Sequence, residues 1–552
     1  MSTKQFYDLS EIKAGSYFNN FKTIIETPFY GNNVYEVETP AEAYKLAANA
    51  PGTVVTDMPI FGADKVGLPK DATVLVFNDG SVQGRCAAAR RIIGEPGVDA
   101  DSLQKIIRDA IFDTKDKNML KTSAYVGLSP EFMVKAHLMI PDTFANSLLS
   151  WMLNFQYCNE VYNQMYEQSK VIEGEPDIYV FADPEWSHPD FPLGLSLFDP
   201  QHNVACVLGM RYFGELKKGT LTLAWGIAGR HGWCSCHGGQ KRYNLPGGKK
   251  FVSAVFGLSG SGKSTITHAK HDNKYDVTVL HDDAFVIDTG DKTVSVALEP
   301  AYFDKTQDYP AGCEDNKFLM TVQNNGITVD KDGKIVIVPE DIRNGNGRAV
   351  KSRLWSPNRV DLFEEPVNAI IWLMKDPTLP PVIKIEDPVV ASAMGATLAT
   401  KRTTAERLAP GVDPNALVVE PYANPFRTYP LEMDYLNFKK LFEEKNVSCY
   451  IFNTGSFMDK KVTKEMTLGS LEQVVEGTAS FKPFGKIEGF SYLPVEGMEP
   501  DFSDASYAEQ VAARMNDRVE FIKSRDEAKG GYDKLPAEVL EAMSKVAEQA
   551  KN

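Results

Sequence analysis

The sequence predicts an α/β protein with two lobes. Short apolar runs with the length of buried strands, at 72–77, 177–181 and 204–208, recur among helical stretches in the first part of the chain. Near residue 246 another apolar run leads into a Gly-rich turn and opens a second part with strand-like runs of its own. We therefore predict a first lobe over 1–245 and a second lobe over 246–552.

The other elements follow from the same patterning. In the first lobe, 147–168 has the spacing of a helix. In the second lobe, the runs at 277–280, 369–373 and 447–452 are short and apolar, as buried strands are. The residues from Asp504 onward are charged and rich in Ala, Glu and Lys, which predicts terminal helices.

The composition is that of a globular enzyme. The 552 residues are 43% hydrophobic and 24% charged, and their net charge of −15 without a basic stripe argues against a nucleic-acid partner. Seven scattered cysteines fit reduced thiols better than a disulfide framework. The N-terminus has no apolar signal region, and no run approaches the ~18 apolar residues of a membrane span. The sequence predicts a cytoplasmic protein without a membrane partner, and no feature of it specifies an oligomeric state.

The most specific motif is a Gly-rich segment between an apolar run and a helix-compatible stretch. Its residues satisfy G-x-x-x-x-G-K-[ST], a pattern whose glycines let backbone N–H groups surround phosphate oxygens. Lys263 would reach the β- and γ-phosphates, and the Ser264 hydroxyl would bind a divalent metal ion. The motif predicts a nucleoside triphosphate site formed by Gly257, Leu258, Ser259, Gly260, Ser261, Gly262, Lys263, Ser264 and Thr265.

An acidic pair follows a strand-like run downstream of this motif. The run 277–280 leads into His281, Asp282 and Asp283, where a strand end would deliver carboxylates to a metal ion. The alternative is a solvated acidic turn. The Gly-rich segment also matches that of adenylylsulfate kinases, but those chains are much shorter and carry an Asp-Gly-Asp motif that is absent here.

Upstream of the Gly-rich segment lies a second constellation. Residues 212–219 read Tyr-Phe-Gly-Glu-Leu-Lys-Lys-Gly, and His237 follows Lys218 after nineteen residues. With the Gly-rich segment and the acidic pair, this order resembles the ATP-dependent phosphoenolpyruvate carboxykinases. The resemblance extends to Ser352-Arg353 with Pro357, to 379–382 and to 453–455, and it covers roughly residues 60–475.

The resemblance implies a two-lobed fold, with a substrate-binding N-terminal lobe and a nucleotide-binding C-terminal lobe. It also implies that oxaloacetate and ATP are converted to phosphoenolpyruvate, ADP and CO₂. The enolate that forms as the C–C bond breaks needs cationic stabilisation. The family positions predict Lys218, His237 and Asp283 as ligands of Mn²⁺, and Ser264 as a ligand of the Mg²⁺ that accompanies ATP, with Asp282 in its outer shell.

The same resemblance assigns further roles. Arg85 would hold the substrate carboxylate with its bidentate guanidinium, and Tyr212 would lie against the substrate or CO₂. Lys217 would contact the γ-phosphate or the substrate. Arg353 would offset charge on the transferred phosphoryl group. Lys461 and Thr467 would flank the adenine, although the family has an Arg where this chain has Lys461.

Besides Lys461, the chain departs from the family at three places. The residues after Arg85, the segment 238–241 after His237 and the pair Ala284-Phe285 after Asp283 all differ from the usual family residues. These departures leave two alternatives open. One is an ATP-dependent kinase that acts on a different small carboxylic acid, and the other is an inactive nucleotide-binding regulatory paralogue.

Individual motifs also allow simpler interpretations. Lys217 and Lys218 could form an exposed dibasic turn, and His281 suits a packing or outer-shell role better than that of a ligand. The order H-x-x-C-x-C-H resembles a zinc ligand set, although its spacing differs from the usual C-x₂₋₄-C pattern. Its members are His231, Cys234, Cys236 and His237.

Overall fold

The structure is a computed structural model, and two predicted site residues, Arg85 and Ser259, lie outside the residues that it describes. The described residues are 19–77, 87–170, 175–258, 260–338, 347–401 and 417–551, with the Lys401 side chain excepted. Within them the strands form three larger sheets, of eight, eleven and five strands, and three two-stranded ribbons. Helices pack between and around the sheets, so the architecture is mixed α/β.

The eight-stranded sheet is built from the N-terminal part of the chain. It contains parallel and antiparallel pairs, and Gln156–Tyr157 joins it beside Met119–Ser129. In spatial order its other strands are Val34–Glu36, Met119–Ser129, Phe132–Pro141, Ile178–Asp183, Val204–Leu208, Leu195–Asp199 and Arg90–Ile92.

The eleven-stranded sheet has the strand of the Gly-rich segment near its centre. Asp276–His281 joins it beside Trp233–Asn244. In spatial order its other strands are Leu362–Phe363, Ser295–Ala297, Ala284–Asp288, Trp233–Asn244, Lys250–Phe256, Ala369–Met374, Ser448–Asn453, Val382–Ile385, Phe490–Tyr492 and Lys482–Pro483.

The five-stranded sheet joins distant parts of the chain. Its order is Tyr302–Lys305, Arg348–Lys351, Leu319–Gln323, Thr73–Phe77 and Thr53–Pro59. The ribbons are Gly326–Val329 with Ile335–Val338, Ala399–Lys401 with Leu417–Val419, and Ser456–Phe457 with Lys460–Lys461. The predicted boundary at residue 246 falls between two neighbouring strands of the eleven-stranded sheet, and the division into lobes stays a prediction.

Twelve α-helices lie within the described residues. They are α1 (Asn20–Glu26), α2 (Pro40–Ala48), α3 (Ala100–Asp113), α4 (Ala145–Asn154), α5 (Glu160–Glu167), α6 (Phe213–Arg230), α7 (Lys263–His268), α8 (Pro388–Ala396), α9 (Leu431–Glu444), α10 (Lys464–Glu476), α11 (Ala505–Arg525) and α12 (Ala537–Gln549). None of them combines the length and the hydropathy that a bilayer-spanning helix requires.

Side-chain caps begin many of these helices. Asp99, Asn159, Asp387 and Asp504 each accept a hydrogen bond from a backbone N–H in the first turn of the helix that follows. Thr463 does the same for α10. Because these residue types favour caps over helix interiors, the sequence itself indicates where these helices begin.

Helix α6 is buried on all sides for most of its length. Its residues from Phe213 to Ala228 are buried, as expected of a helix that packs between layers rather than on the surface. Gly229 lies so close to Met433 of α9 that a Cβ atom would collide with the Met433 side chain. This helix carries Lys217 and Lys218 into the interior.

The described residues confirm most of the expected elements. The apolar runs of the sequence are strands, and the C-terminal residues form α11 and α12. The continuous helix expected over 147–168 is wrong. The chain leaves α4 after Asn154, pairs Gln156 and Tyr157 with Tyr125 and Ala124, and starts α5 at the Asn159 cap. Strand pairing outweighs local helical spacing at this point.

A buried ion pair ties α11 to the eleven-stranded sheet. Nη2 of Arg518 lies 3.0 Å from Oδ2 of Asp376, and both side chains are almost fully buried. Oδ1 of Asp376 accepts a hydrogen bond of 2.8 Å from the Thr378 hydroxyl. Each charge in this pair depends on the other, because an unpaired buried charge is costly.

We expect Asp376→Asn to destabilise the protein by about 3–5 kcal/mol, because it leaves the Arg518 guanidinium buried without a counter-charge. A large drop in melting temperature, measured by circular dichroism, is the expected result. Lys545→Met is the matched control, since it breaks an exposed pair with Glu488 and should change the melting temperature little. Equal melting temperatures for the two variants would contradict the prediction.

Candidate active site

A cavity of about 560 Å³ is lined by the start of α6, strand ends of the eleven-stranded sheet, the Gly-rich segment and two strands of the five-stranded sheet. Most of the site residues predicted from the sequence meet there. They are Tyr212, Lys218, His237, Leu258, Gly260, Gly262, Lys263, Ser264, Thr265, Asp282 and Asp283.

Other predicted residues lie elsewhere. Lys217, Gly257 and Ser261 are not on the cavity wall, although each neighbours a residue that is. Arg353 is bound to Asp361 with both carboxylate oxygens at 2.9 Å from Nη2. Neither Arg353, nor Lys461, nor Thr467 lines the cavity, so their predicted roles stay predictions.

The Asp283 carboxylate is the centre of the site. Its Oδ2 lies 2.7 Å from Nζ of Lys217 and 2.6 Å from Nζ of Lys218. Its Oδ1 lies 3.2 Å from Nζ of Lys263 and 3.1 Å from Nε2 of His237. One carboxylate therefore joins α6, the Gly-rich segment and the strand Trp233–Asn244.

The strand register and a backbone hydrogen bond place His237 and Asp283 side by side. The strand register pairs His237 with Ala284, which places the preceding residue, Asp283, beside the imidazole. The backbone N–H of Gly238 donates to the Asp283 carbonyl at 3.1 Å and fixes the turn. Lys217 and Lys218 are buried residues of α6, so the alternative of an exposed dibasic turn is wrong.

Burial and charge control the protonation states. Burial alone would raise the pKa of Asp283, but the three neighbouring ammonium groups outweigh burial and hold this pKa well below its usual range. Burial lowers the pKa of Lys218 to about 8. Burial, together with the charges of Lys263 and Lys218, lowers the pKa of His237 to about 3. The imidazole is therefore neutral near pH 7.

The hydrogen bonds of His237 determine its tautomer. Nδ1 lies 2.5 Å from the Ala423 carbonyl, which can only accept, so Nδ1 carries the proton. The lone pair of Nε2 then faces Oδ1 of Asp283, another acceptor, at 3.1 Å. Two acceptors at this distance fit a cation between or beside them.

The donor set fits a divalent metal ion. The neutral imidazole of His237, the carboxylate of Asp283 and the amine of Lys218 converge, and the lowered pKa brings the Lys218 amine within reach of its neutral form. Mixed nitrogen and oxygen ligands suit Mn²⁺. Within the described residues, no three His, Cys, Asp or Glu side chains are close enough together to bind a metal ion. The set formed by Lys218, His237 and Asp283 has only two residues of these types, and its third member is a lysine.

The Gly-rich segment has strand, turn and helix in the expected order. Lys250–Phe256 is the strand, and α7 begins at Lys263. Gly260 and Gly262 have φ of 82° and 94°, a region that favours glycine. A Cβ on Gly257 would collide with the Ser261 side chain, so this turn also needs glycine for space.

Asp282 and His281, which precede Asp283 in the chain, have different surroundings. Burial alone would raise the pKa of Asp282, but His268, with Nε2 at 3.3 Å from Oδ2, helps to lower it. Asp282 is buried, so the alternative of a solvated acidic turn is wrong. His281 stacks on Tyr302 and accepts from the backbone N–H of Asp283 at 3.1 Å, which is the packing role expected for it.

The sequence did not reveal two groups of site residues. Glu299 is fully buried, lies 2.9 Å from Nζ of Lys217 and accepts from Asn154 at 2.6 Å, so it shares Lys217 with Asp283. No motif marks Glu299 in the sequence, because its partners are distant in the chain.

The second group lies on two paired strands. Lys305 and Arg348 are directly opposite each other in the five-stranded sheet, and both line the cavity. Like charges in directly opposed positions repel, and the carboxylate of Asp308, which also lines the cavity, offsets part of this repulsion. Burial, followed by the charge of Arg348, lowers the pKa of Lys305. Next to them Lys351 pairs with Asp304 at 2.6 Å and lies over the Trp355 ring.

The residues of the possible zinc set do not come together. Cys234 and Cys236 point into the hydrophobic core from one face of their strand, and His237 points to the cavity from the other. Nε2 of His231 lies 3.1 Å from Glu175 instead. These described residues therefore do not form a zinc site.

A family model described as phosphoenolpyruvate carboxykinase matches residues 64–491 of the chain. The chain belongs to this family. Phosphoenolpyruvate carboxykinase (ATP) of Aeropyrum pernix is 28% identical over 349 residues, which cover 59% of this chain and 68% of that protein. Phosphoenolpyruvate carboxykinase (ATP) 2 of Salinibacter ruber is 26% identical over 211 residues, which cover 35% of this chain and 38% of that protein.

The family match confirms the resemblance read from the sequence. It spans every residue that lines the cavity, from Tyr212 to Phe426. Helices α11 and α12 lie beyond its end at residue 491. The cavity of this phosphoenolpyruvate carboxykinase family member is therefore built within the matched region, and the C-terminal helices are outside it.

We expect Mn²⁺ to bind the nucleotide-free protein about tenfold more tightly per pH unit from about pH 6 to about pH 8, where the increase levels off. Below the pKa of about 8, Lys218 must lose a proton before its amine can bind a metal ion, whereas His237 is already neutral. Water proton relaxation in Mn²⁺ titrations measures the affinity. Lys218→Met should bind weakly and without this slope, and a wild-type affinity that does not change with pH would contradict the prediction.

Proposed function

We propose that the protein is an ATP-dependent phosphoenolpyruvate carboxykinase, which interconverts oxaloacetate and ATP with phosphoenolpyruvate, ADP and CO₂. The observation that carries this proposal is the convergence of Lys218, His237 and Asp283 with Lys263 of the Gly-rich segment. A plain kinase needs a metal ion with the nucleotide. It does not need a second donor set of Lys, His and Asp beside the phosphates.

Two metal ions would fit the proposal. Mn²⁺ would be held by Lys218, His237 and Asp283, and Mg²⁺ by Ser264 with Asp282 nearby. When bound, Mn²⁺ would supply positive charge to the oxygens of the enolate and of the γ-phosphate. The protein keeps Asp283 ionised for this role through its three ammonium neighbours.

The cationic side chains would position the reacting groups. Lys263 would bind the β- and γ-phosphates, as the Gly-rich motif predicts. Lys217 is buried, and the charges of Asp283 and Glu299 outweigh burial and raise its pKa, so it stays charged and supports Asp283. Arg348 and Lys305 would bind the carboxylate or the phosphoryl group from the part of the wall that the five-stranded sheet forms.

Several parts of the proposal rest on the family resemblance. These are the carboxylate contact of Arg85, the substrate contact of Tyr212 and the adenine contacts of Lys461 and Thr467. The substrate-binding first lobe and the nucleotide-binding second lobe are predictions of the same kind. The cytoplasmic location is a prediction from the cysteine content and from the lack of an apolar signal region. The position of Tyr212 on the cavity wall, where its ring lies against Gly214, supports the proposed substrate contact.

We expect the wild-type protein to convert oxaloacetate to phosphoenolpyruvate with ATP, and Mn²⁺ to activate it at saturating Mg²⁺–ATP. His237→Gln should lower kcat by about 10–100-fold and raise the Mn²⁺ requirement, because one metal ligand is lost. Nucleotide affinity should be kept, because His237 does not belong to the Gly-rich segment. Phosphoenolpyruvate formation and exchange of labelled CO₂ measure the reaction.

The same assay decides between the alternatives. Phosphorylation of another small carboxylic acid without CO₂ exchange, and without a Mn²⁺ effect, would establish a plain kinase instead. Nucleotide binding without turnover of any acid would establish a regulatory paralogue. A His237→Gln variant that behaves as the wild type would contradict the metal role of His237.

A comparison of Arg348 and Arg353 tests which arginine contacts the transferred phosphoryl group. We expect Arg348→Gln to reduce kcat/KM by about 100-fold or more, because Arg348 lines the cavity and a cation on a transferring phosphoryl group contributes several kcal/mol. Arg353→Gln should mainly lower the melting temperature through loss of the Asp361 pair. The reverse order of the kinetic effects would assign the phosphoryl contact to Arg353, as the sequence predicts.

A further inference from the structure

One wall of the cavity is a segment at residues 420–431, which we name the strap. The ring of Phe426 lies 5.3 Å from that of His237, at 82°, and its centre is 4.7 Å from Nζ of Lys218. The Ala423 carbonyl accepts the Nδ1 proton of His237. The strap therefore touches two of the proposed metal ligands and fixes the tautomer of one.

The first half of the strap has an unfavourable backbone conformation. Tyr422 and Ala423 have φ of 51° and 53°, which costs on the order of 1 kcal/mol or more for each non-glycine residue. Contacts hold this conformation, since the Tyr422 ring stacks on Phe438 and its hydroxyl donates to the Ser392 carbonyl at 3.0 Å.

The second half of the strap is held on one side by Arg90. Nη1 of Arg90 donates to the Phe426 carbonyl at 2.8 Å. Nε and Nη2 of the same guanidinium bind Glu215 of α6 at 2.9 and 3.2 Å. Arg90 thus joins the strap to the helix that carries Lys218, within the region that the family model matches.

The other side is held from outside the matched region. Oδ1 of Asp533, between α11 and α12, lies 2.8 Å from Nη2 of Arg427 and accepts from the backbone N–H of Leu431 at 3.1 Å. The hydroxyl of Tyr532 donates to the Thr428 carbonyl at 3.0 Å. The Arg427 and Asp533 side chains are 11% and 8% exposed, so water screens their attraction little.

We propose that Asp533 is a positioning residue of the active site and that the C-terminal segment, 504–551, holds the strap against the metal ligands. The inference rests on the proposed function. Asp533 touches neither the cavity nor the proposed ligands, and it acts through Arg427 and the Leu431 N–H on the strap, and through the strap on His237. Groups that orient a metal-binding histidine change metal affinity even though they do not touch the metal ion.

The test is Asp533→Asn, which keeps an oxygen for the Leu431 N–H and removes the charge that binds Arg427. We expect the Mn²⁺ dissociation constant, measured by water proton relaxation, to rise by about 3–10-fold, which is less than the ~10–100-fold that follows loss of a direct partner of a metal ligand. Nucleotide affinity, measured by equilibrium titration, should be unchanged, because the strap does not contact the Gly-rich segment through these bonds. Tyr532→Phe removes only the bond to Thr428 and should shift Mn²⁺ affinity in the same direction by less.

The matched control is Glu538→Gln. Glu538 belongs to α12 and binds Tyr435 and Lys439 of α9 at 2.7 and 3.0 Å, so its loss weakens the C-terminal attachment without touching the strap. It should lower the melting temperature and leave Mn²⁺ affinity unchanged. This control separates loss of stability from loss of position.

Each outcome decides the inference. If Asp533→Asn binds Mn²⁺ like the wild type and only its melting temperature falls, Asp533 is structural and the inference is overturned. If Asp533→Asn does not fold, Tyr532→Phe decides through the same Mn²⁺ titration. If the wild type binds Mn²⁺ but does not convert oxaloacetate, the proposed function fails, and a weaker Mn²⁺ affinity in Asp533→Asn still supports the positioning role. If the wild type binds no Mn²⁺, both fail.

Discussion

The site depends on one partly buried carboxylate. Asp283 binds the ammonium groups of Lys217, Lys218 and Lys263, which come from α6 and from the Gly-rich segment. Three ammonium groups so close together would repel strongly in a medium of low dielectric constant. The carboxylate makes their proximity possible, and it leaves an excess of positive charge that an anionic ligand can neutralise.

This local excess contrasts with the charge of the whole chain. The protein carries a net charge of −15, yet Lys305, Arg348 and Lys351 add further cations to the same cavity. Carboxylates line the same cavity, namely those of Asp282, Asp283, Asp304, Asp308 and Glu420, and Lys351 is paired with Asp304. The two signs are equal in number, so the attraction of an anion depends on where each cation lies rather than on the net charge of the wall. Lys263, the cation that the Gly-rich motif assigns to phosphate oxygens, lies on this wall, which is the placement that a nucleoside triphosphate requires.

Local motifs were readable from the sequence, and partners distant along the chain were not. The Gly-rich segment and the spacing between Lys218 and His237 are local patterns, and the structure brings both to one cavity. The partner of His237 Nδ1 is Ala423, and Glu299 is a second partner of Lys217 besides Asp283. Only the tertiary fold brings these groups near. Arg348 was missed for the same reason, because its significance lies in the strand register that opposes it to Lys305.

The structure shows what the residues do at two of the places where the chain departs from its family. Segment 238–241 lies beneath α7, where Gly239 leaves room for Thr267 and buried Lys241 donates to the carbonyls of Ile266 and Ala269 at 2.7 and 2.9 Å. Phe285 packs in the core against Phe256. Neither departure lines the cavity. They support the Gly-rich segment and its strand, so any difference in acid recognition has to come from the departure after Arg85, which includes Arg90, or from other parts of the wall.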